Sequence, residues 1–281
     1  MGLGGYLMWT AVAREICKAA NVQKVFPFEQ HGMFVKTIKT SIFDNNPFIQ
    51  QSYESDVVAF PMQLNNPKTN YCKQDTVQKA VHRHDKHIIE QVCEFYGINS
   101  PKLKCELYFT PHEETSVSSL LQQQELTNNF IVFEPQTKPG YTVNKKYPLE
   151  KWQRVVDYLV STGETIVQVG APTLDQKLKN VIDLTGKTSF REAACIISRS
   201  KLFVSSEGGL MHAANAVGTR SVILFTGFIH PTMTGYPENK NIWIGKDHGP
   251  CGMKLLCNQC EKNALEHDPE ELIQSIKEML K

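Results

Sequence analysis

The residues best suited to chemistry lie in the stretch Phe203-Val204-Ser205-Ser206-Glu207-Gly208-Gly209-Leu210-Met211-His212-Ala213-Ala214-Asn215-Ala216. An apolar strand runs into an acidic residue, two glycines and then a helix whose small residues allow close packing on a sheet. Glycines let the backbone approach a ligand, the free N–H groups of a helix start point at an anion, and the helix dipole adds favourable potential. Such an arrangement suits a nucleotide diphosphate. Glu207 could accept hydrogen bonds from ribose or sugar hydroxyls, and His212 could donate to a phosphate. The same residues also suit a plain tight strand-to-helix turn with a satisfied, partly buried histidine.

A second concentration of reactive side chains is the run from His248 to Cys260, where Cys251, Cys257 and Cys260 fall within ten residues and the last two form C-x-x-C. That is metal-ligand spacing, with His248 or His267 available as a fourth ligand to structural zinc or iron. Gly249, Pro250, Gly252 and Asn258 supply turn chemistry and little apolar volume, so the loop can close around an ion. Reduced thiols tucked under the last helix are the alternative. Cys17, Cys72, Cys93, Cys105 and Cys195 are scattered through apolar surroundings, as reduced thiols acting as small hydrophobes. His82, His84 and His87 read as a solvated helix face before they read as metal ligands.

These residues need elements to hold them. In the first half, Met8, Val12, Ile16 and Ala19 give one face of an amphipathic helix over 7–20. Short β-type runs follow at 25–28 and 56–60, then a helix over 75–96 capped by Asp75 and stopped by Gly97, and a strand over 105–109. The polar segment 113–129 reads as a helix crossing between two lobes. After it strands are expected at 130–133, 165–169, 202–205 and 221–225, and helices at 149–160, 174–182, 190–198, 210–217 and 269–280. Such alternation implies right-handed crossovers and a parallel sheet. The expected fold is α/β, with two Rossmann-like lobes, 1–125 and 126–281, facing a central cleft where ligands bind.

The run from Asp183 to Phe225, with Glu207, Gly208, Gly209, Leu210, Met211 and His212 in order, resembles glycosyltransferase family nine, the ADP-heptose:lipopolysaccharide heptosyltransferases and their relatives. Glu207 stands where those enzymes usually carry Asp. Lys145, three residues before Pro148 with Trp152 nearby, fits a second family element. The resemblance implies a GT-B fold in which Lys145, Glu207, Gly208, Gly209 and His212 bind the donor and Lys145 neutralises its phosphate; a solvated loop lysine is the alternative. Gly4 and Gly5 resemble the family's acceptor-side loop before the first helix. The resemblance puts a general base directly after the loop glycine, where this sequence has Gly5. His31 and His112, each after an expected strand, are the substitute candidates, though surface or structural roles suit both. Related autotransporter heptosyltransferases hold a metal in a cysteine-rich element, which matches Cys251, Cys257 and Cys260.

Bulk properties narrow the field. At about 150 residues per domain, 281 residues make roughly two domains, and 41% hydrophobic content is that of a packed globular chain. Thirty Lys+Arg against 29 Asp+Glu leaves a net charge of +1, which gives no general attraction to nucleic acid. No apolar run approaches the ~20 residues of a membrane span. The expected protein is cytoplasmic or peripheral at the inner face of a membrane. It would move a sugar, heptose among the candidates, from a nucleoside-diphosphate donor to a glycan, lipid-linked or protein acceptor, with no cofactor needed for the chemistry. A nucleotide-sugar-binding relative without catalysis and a GT-B-type nucleotide-sugar epimerase are the alternatives.

Overall fold

The computed structural model describes all residues except 1, 32–33, 53–56, 62–71, 75–79, 83–84, 128, 136–139 and 173–176, and gives the backbone alone for 30, 31, 34, 72–74 and 80–82. It opens on helix α1 (Leu3–Ala20), which buries Leu7, Trp9, Val12 and Ile16, and ends at Asn21 in the left-handed region. Strands β1 (Val25–His31), β2 (Phe34–Thr37) and β3 (Val58–Pro61) form a sheet in the order β2-β1-β3, with β1 parallel to β3 and antiparallel to β2. A separate antiparallel pair, β4 (Cys72–Gln74) and β5 (Ala80–His82), precedes α2 (Ile88–Phe95) and α3 (Pro111–Gln123).

The second half is a six-stranded, wholly parallel sheet. Its elements are β6 (Phe130–Glu134), α4 (Leu149–Ser161), β7 (Thr165–Gln168), β8 (Ile182–Asp183), α5 (Phe190–Ser198), β9 (Leu202–Ser206), α6 (Gly209–Val217), β10 (Ser221–Phe225), the short α7 (Pro231–Thr234) and β11 (Lys240–Trp243). Helices α8 (Asn258–Glu266) and α9 (Glu270–Leu280) follow. Side chains of the central strands alternate between two apolar clusters. Phe130, Val132, Phe203, Ile223 and Phe225 join α1, α5 and α6 on one face. Ile131, Phe133, Leu202, Val204, Val222 and Leu224 join Trp152 and Val155 of α4 and Leu272 and Ile276 of α9 on the other. Burial on both faces is why these strands are nearly continuous apolar runs, as parallel sheets require.

The expected parallel α/β architecture is therefore present, with four local corrections. No helix spans 75–96: residues 80–82 pair with 72–74 as strand, and α2 starts only after His87, whose Nδ1 accepts from the Ile89 amide while Glu90 accepts from the His87 amide. Asp75 lies outside the described residues. Residues 105–109 do not pair as a strand, because side chains take the ladder's place. Thr10 accepts from the Glu106 amide at 2.8 Å, Asn215 from the Cys105 amide at 2.8 Å, and Arg14 donates to the Lys102 and Lys104 carbonyls. The expected helix over 174–182 fails in its described part. Gln168 and Gln153 accept from the Leu178 and Lys179 amides, and the chain then joins the sheet as β8. Lastly, Gly4 and Gly5 are not in a loop but in the first turn of α1.

No helix among the described residues is long and apolar enough to cross a membrane. The two halves are instead joined by polar staples. Arg191 on α5 is buried and donates from Nε and Nη2 to both carboxylate oxygens of Glu113 on α3, at 2.5 and 2.8 Å. Its other donors reach the carbonyls of Ser41 and Tyr108. The guanidinium holds the Glu113 carboxyl down at about 2, so this stabilisation is complete above the ordinary carboxylate range and is lost as pH falls toward 2. Removing one partner of a buried pair strands the other. Arg191→Ala is expected to lower unfolding free energy by about 3 kcal/mol at pH 7, read by urea denaturation, with a smaller effect near pH 3.

Candidate functional site

Sheet order places the site. In the sequence of strands β11-β10-β9-β6-β7-β8, the chain leaves β6 toward β7 on one side and later returns to β9 on the other. The crevice outside the carboxyl ends of two such strands is where open α/β sheets bind ligands. Glu134 ends β6, and Glu207, Gly208 and Gly209 follow β9.

Two helices begin at this rim. Helix α6 has Gly208 as its N-cap and α1 has Gly2, neither start has a side-chain cap, and neither carries an acid in its first turn. They lie side by side: a Cβ on Gly4 would stand 2.7 Å from the His212 ring and 3.4 Å from the Gly209 Cα. Farther along, Thr10 on α1 and Asn215 on α6 hold adjacent amides of the 105–106 segment. The two positive dipole ends therefore share one rim, with no side-chain cap on their first N–H groups among the described residues. Gly208 is in extended backbone, and a Cβ there would meet only Ser206 O at 3.7 Å and Glu134 Oε2 at 4.0 Å among the described residues. Neither conformation nor crowding by its own chain demands a glycine at that position.

Charged side chains flank the helix starts. Lys145 Nζ pairs with Glu207 Oε2 and stands 5.2 Å and 5.5 Å from the ring centres of Phe228 and Tyr141. The pair lines a shallow recess with Leu224, Phe225, Thr226, Phe228 and Ile229. Glu134, by contrast, has no hydrogen-bond or ionic partner among the described residues, and burial pushes its carboxyl up to about 8. At neutral pH it is a protonated acid, able to donate.

Behind the rim the polar groups are interior. His212 is buried, with Nδ1 2.7 Å from the Tyr236 hydroxyl, which also lies 3.0 Å from Cys105 Sγ. Burial, with the Lys145 charge adding to it, holds the imidazole down at about 3. The His87 ring packs on Tyr236 from α2 and is held down to about 3 by burial and by His212. Both histidines are neutral at physiological pH.

The three C-terminal thiols converge. Sγ atoms of Cys251, Cys257 and Cys260 all lie within 4.8 Å of one another, each residue buried. Cys260 donates to Cys251 Sγ at 3.4 Å and the Met253 amide donates to it at 3.5 Å, so Cys251 is the thiol most easily ionised. His248 Nε2 is 3.5 Å from Cys257 Sγ. His267 is elsewhere: its Nδ1 meets the Tyr147 hydroxyl at 2.8 Å and its Nε2 meets Glu271, which removes it as the expected fourth ligand. Three soft sulphurs with an imidazole alongside are a donor set for zinc or iron.

Residues 50–263 match the profile of glycosyltransferase family 9 (heptosyltransferase). The chain belongs to that family. No curated protein sequence matches it, but solved structures do. A family 9 glycosyl transferase from Veillonella parvula is 14% identical over 100% of this chain and 95% of its own, with a TM-score of 0.71. The iron-containing dodecameric glycosyltransferase TibC of enterotoxigenic E. coli is 15% identical over 99% of this chain and 74% of its own, TM-score 0.69. The E. coli heptosyltransferase WaaC with ADP is 13% identical over 99% of this chain and 97% of its own, TM-score 0.58. At these identities the likeness is one of fold, a GT-B architecture.

Within this family 9 chain, Lys145, Glu207, Gly208, Gly209 and Gly4 meet at one rim with His212 buried behind it, and Gly5 lies one residue farther along α1. His112 is exposed in the first turn of α3, beside the Glu113 staple, and the side chain of His31 lies outside the described residues. Sequence reasoning missed Glu134, Asn144 and Tyr236. Glu134 had a signal, an acid ending an apolar strand at the first strand of the sheet. Tyr236 had none, since only packing brings it to His212.

The buried histidines make a measurable consequence. Unfolded, they take up protons near pH 6.5, whereas in the fold they resist down to about 3. Their neutral burial stabilises fully above pH 6.5, and that contribution is lost as pH falls toward 3, by about 1.4 kcal/mol per pH unit for each. Urea unfolding at pH 7 and pH 5 should differ by about 2 to 4 kcal/mol beyond the carboxylate contribution. His87→Asn keeps a side-chain acceptor for the Ile89 amide and should roughly halve the slope. An unchanged slope would mean that His87 titrates normally.

Proposed function

We propose that this protein is a glycosyltransferase that moves a sugar, heptose in the first instance, from a nucleoside-diphosphate donor to a surface-glycan, lipid-linked or protein acceptor. The observation that carries the reading is the pair of uncapped helix starts at the switch point, with bare Gly208 next to Glu134 and following the Glu207 that pairs with Lys145. Backbone N–H groups and two aligned dipoles there suit a diphosphate. WaaC with bound ADP and TibC in complex with ADP-D-β-D-heptose share the fold. Residues 126–281 would form the donor lobe and 1–125 the acceptor lobe.

In the transfer, an acceptor hydroxyl attacks the anomeric carbon and the diphosphate leaves. Negative charge growing on the leaving group is met by Lys145 and the α6 start, a preorganised set that needs no rearrangement of solvent. Lys145 turns from Glu207 to the phosphates, and Glu207 is freed to accept from a donor hydroxyl. Protonated Glu134 donates to the donor without adding charge beside the diphosphate. His212, neutral and tied to Tyr236, orients the rim. The acceptor's base would be His112 or His31. Gly5 favours a second reading, a relative that binds nucleotide sugar without turnover, because no side chain stands there to take the proton.

Isothermal titration with ADP checks the donor site. Lys145→Ala is expected to weaken binding by about 1 to 3 kcal/mol, and Glu207→Ala to abolish discrimination between ADP-sugar and ADP. Wild-type affinity should fall above pH 8 as Glu134 ionises beside the phosphates, and Glu134→Gln should remove that fall. Affinity indifferent to Lys145 defeats the assignment. Release of ADP from ADP-heptose only when acceptor is present separates transfer from the binding-only reading. His112→Ala should then lower kcat and leave ADP affinity alone if it is the base.

A structural metal at Cys251, Cys257 and Cys260, with His248 alongside, belongs to the same proposal. Such an ion would fix the loop that precedes α8 and would take no part in the chemistry. Protein purified without a histidine tag should carry about one equivalent of zinc or iron, and its three thiols should resist titration until a chelator is added. Freely titrating thiols with less than about 0.2 equivalents of metal would rule it out.

A further inference from the structure

Asn144, the residue before Lys145, is buried and holds the chain that links the thiols. Its Oδ1 accepts from the Cys257 amide at 2.8 Å, and its Nδ2 donates to the carbonyls of Met253 and Leu255, both at 2.7 Å. Thr142 adds a bond to the Met253 carbonyl at 2.9 Å and accepts from the Asn144 amide. The Asn144 carbonyl accepts from Thr226 Oγ1 at 2.6 Å, at the end of β10. The five-residue strap between Cys251 and Cys257 thus wraps one amide side chain.

The same strap holds the opposite wall. The Cys251 amide donates to the Gly227 carbonyl at 2.8 Å and the Gly252 amide to the Phe228 carbonyl at 3.1 Å. Phe228 is one of the two rings beside the Lys145 ammonium. Lys145 therefore sits between a backbone turn and an aromatic ring that are both hung on the segment bounded by Cys251 and Cys257.

We propose that Asn144 is a positioning residue that couples closure of the Cys251–Cys257–Cys260 cluster to the placement of Lys145, so that opening the cluster weakens nucleoside-diphosphate binding at a site it does not touch. The effect on affinity rests on the reading of Lys145 as a phosphate contact; the mechanical coupling does not. Only an amide serves at 144. One side-chain oxygen must accept from an N–H while the other atom donates to two carbonyls, and a carboxylate there would face those two oxygens with charge. Closed thiols fix both ends of the strap, and the strap's three polar groups then fix Asn144. With the ends released, those groups are free to turn to water, and the 142–145 turn loses its outer partners.

The test uses the full chain as purified, with ADP as the probe, and opens the cluster by stoichiometric organomercurial or by Cys257→Ser. Hydrogen exchange at amides 141–147 reads the coupling and titration calorimetry reads the affinity. In the wild-type chain, opening should speed exchange at 141–147 and weaken ADP roughly tenfold, an ordinary size for coupling between sites. Asn144→Leu and Asn144→Asp should start with weakened ADP binding, keep their metal content, and show no further loss on opening. Lys145→Ala should show the faster exchange on opening but no change in affinity. This non-additivity is what a merely structural asparagine would not give. Unchanged exchange at 141–147 in a folded, opened wild-type chain overturns the proposal, as does an Asn144→Leu chain that still responds to opening. If ADP fails to bind the untreated protein, the donor reading falls and the exchange result alone decides the coupling.

Discussion

The structure turns on how closely α1 approaches α6 at Gly4. With 2.7 Å between a would-be Cβ and the His212 ring, no side chain larger than hydrogen fits there unless the ring moves. The ring cannot move cheaply, because Tyr236 holds its Nδ1 in the interior. Two helices starting together with aligned dipoles repel weakly, so something must hold them. The irregular segment 102–106 does so, gripped by Thr10 and Arg14 of one helix and Asn215 of the other. Its refusal to pair as a strand is the cost of that clasp. The outcome is a rim of uncapped N–H groups, partly relieved when an anion occupies it.

That constraint explains which parts of the fold were legible. The second half read correctly from 130 to 225 apart from 174–182, because strands buried on both faces are short apolar runs and one of the helices between them begins at a recognisable cap. Ser189 with Glu192 is such a cap, present both in pattern and in hydrogen bonds. Misreadings fell where a side chain took over a backbone bond. Gln153 and Gln168 across 178–179, Thr10 and Asn215 across 105–106, and His87 at the start of α2 are all contacts between residues chosen by the fold, not by local pattern. The candidate site divides the same way. Glu207 to His212 and Lys145 were visible as a motif, and the thiol triplet as spacing. Glu134, whose signal was an acid ending an apolar strand, came to the rim through strand order, and Asn144 gained significance only from the path of the strap.

Charge at the rim is arranged with more economy than a count of side chains suggests. Glu134, Glu207, Lys145 and His212 would sum to minus one at neutral pH if all four took their ordinary states with histidine neutral. Burial keeps the Glu134 carboxyl protonated, which brings the sum to zero and leaves the two dipole ends as the unopposed field. A rim of that kind attracts an anion without holding a fixed cation in excess, and it does so over the width of two helix starts instead of at a point. The form of that field suits a diphosphate, whose charge is spread over several oxygens, better than a single carboxylate.

Among the rim side chains described above, Lys145 supplies the positive charge, and its freedom has to be limited. A lysine side chain carries four rotatable bonds, so an ammonium that is merely tethered nearby loses much of its contribution to ordering. Here the backbone that carries it is fixed by Asn144 and Thr226, and the ammonium lies beside two rings with Glu207 as its resting partner. In the donor site proposed above, exchange of Glu207 for a phosphate would keep Lys145 paired throughout, so the ammonium need not be left unpaired in the recess. Glu207 in turn is left at the end of β9 with an acceptor facing the same space. On that proposal, the acid next to the glycine pair would serve binding in two steps, first by storing the lysine and then by receiving a hydroxyl. That dual duty needs a carboxylate and would be lost with an amide, which holds no ammonium at rest.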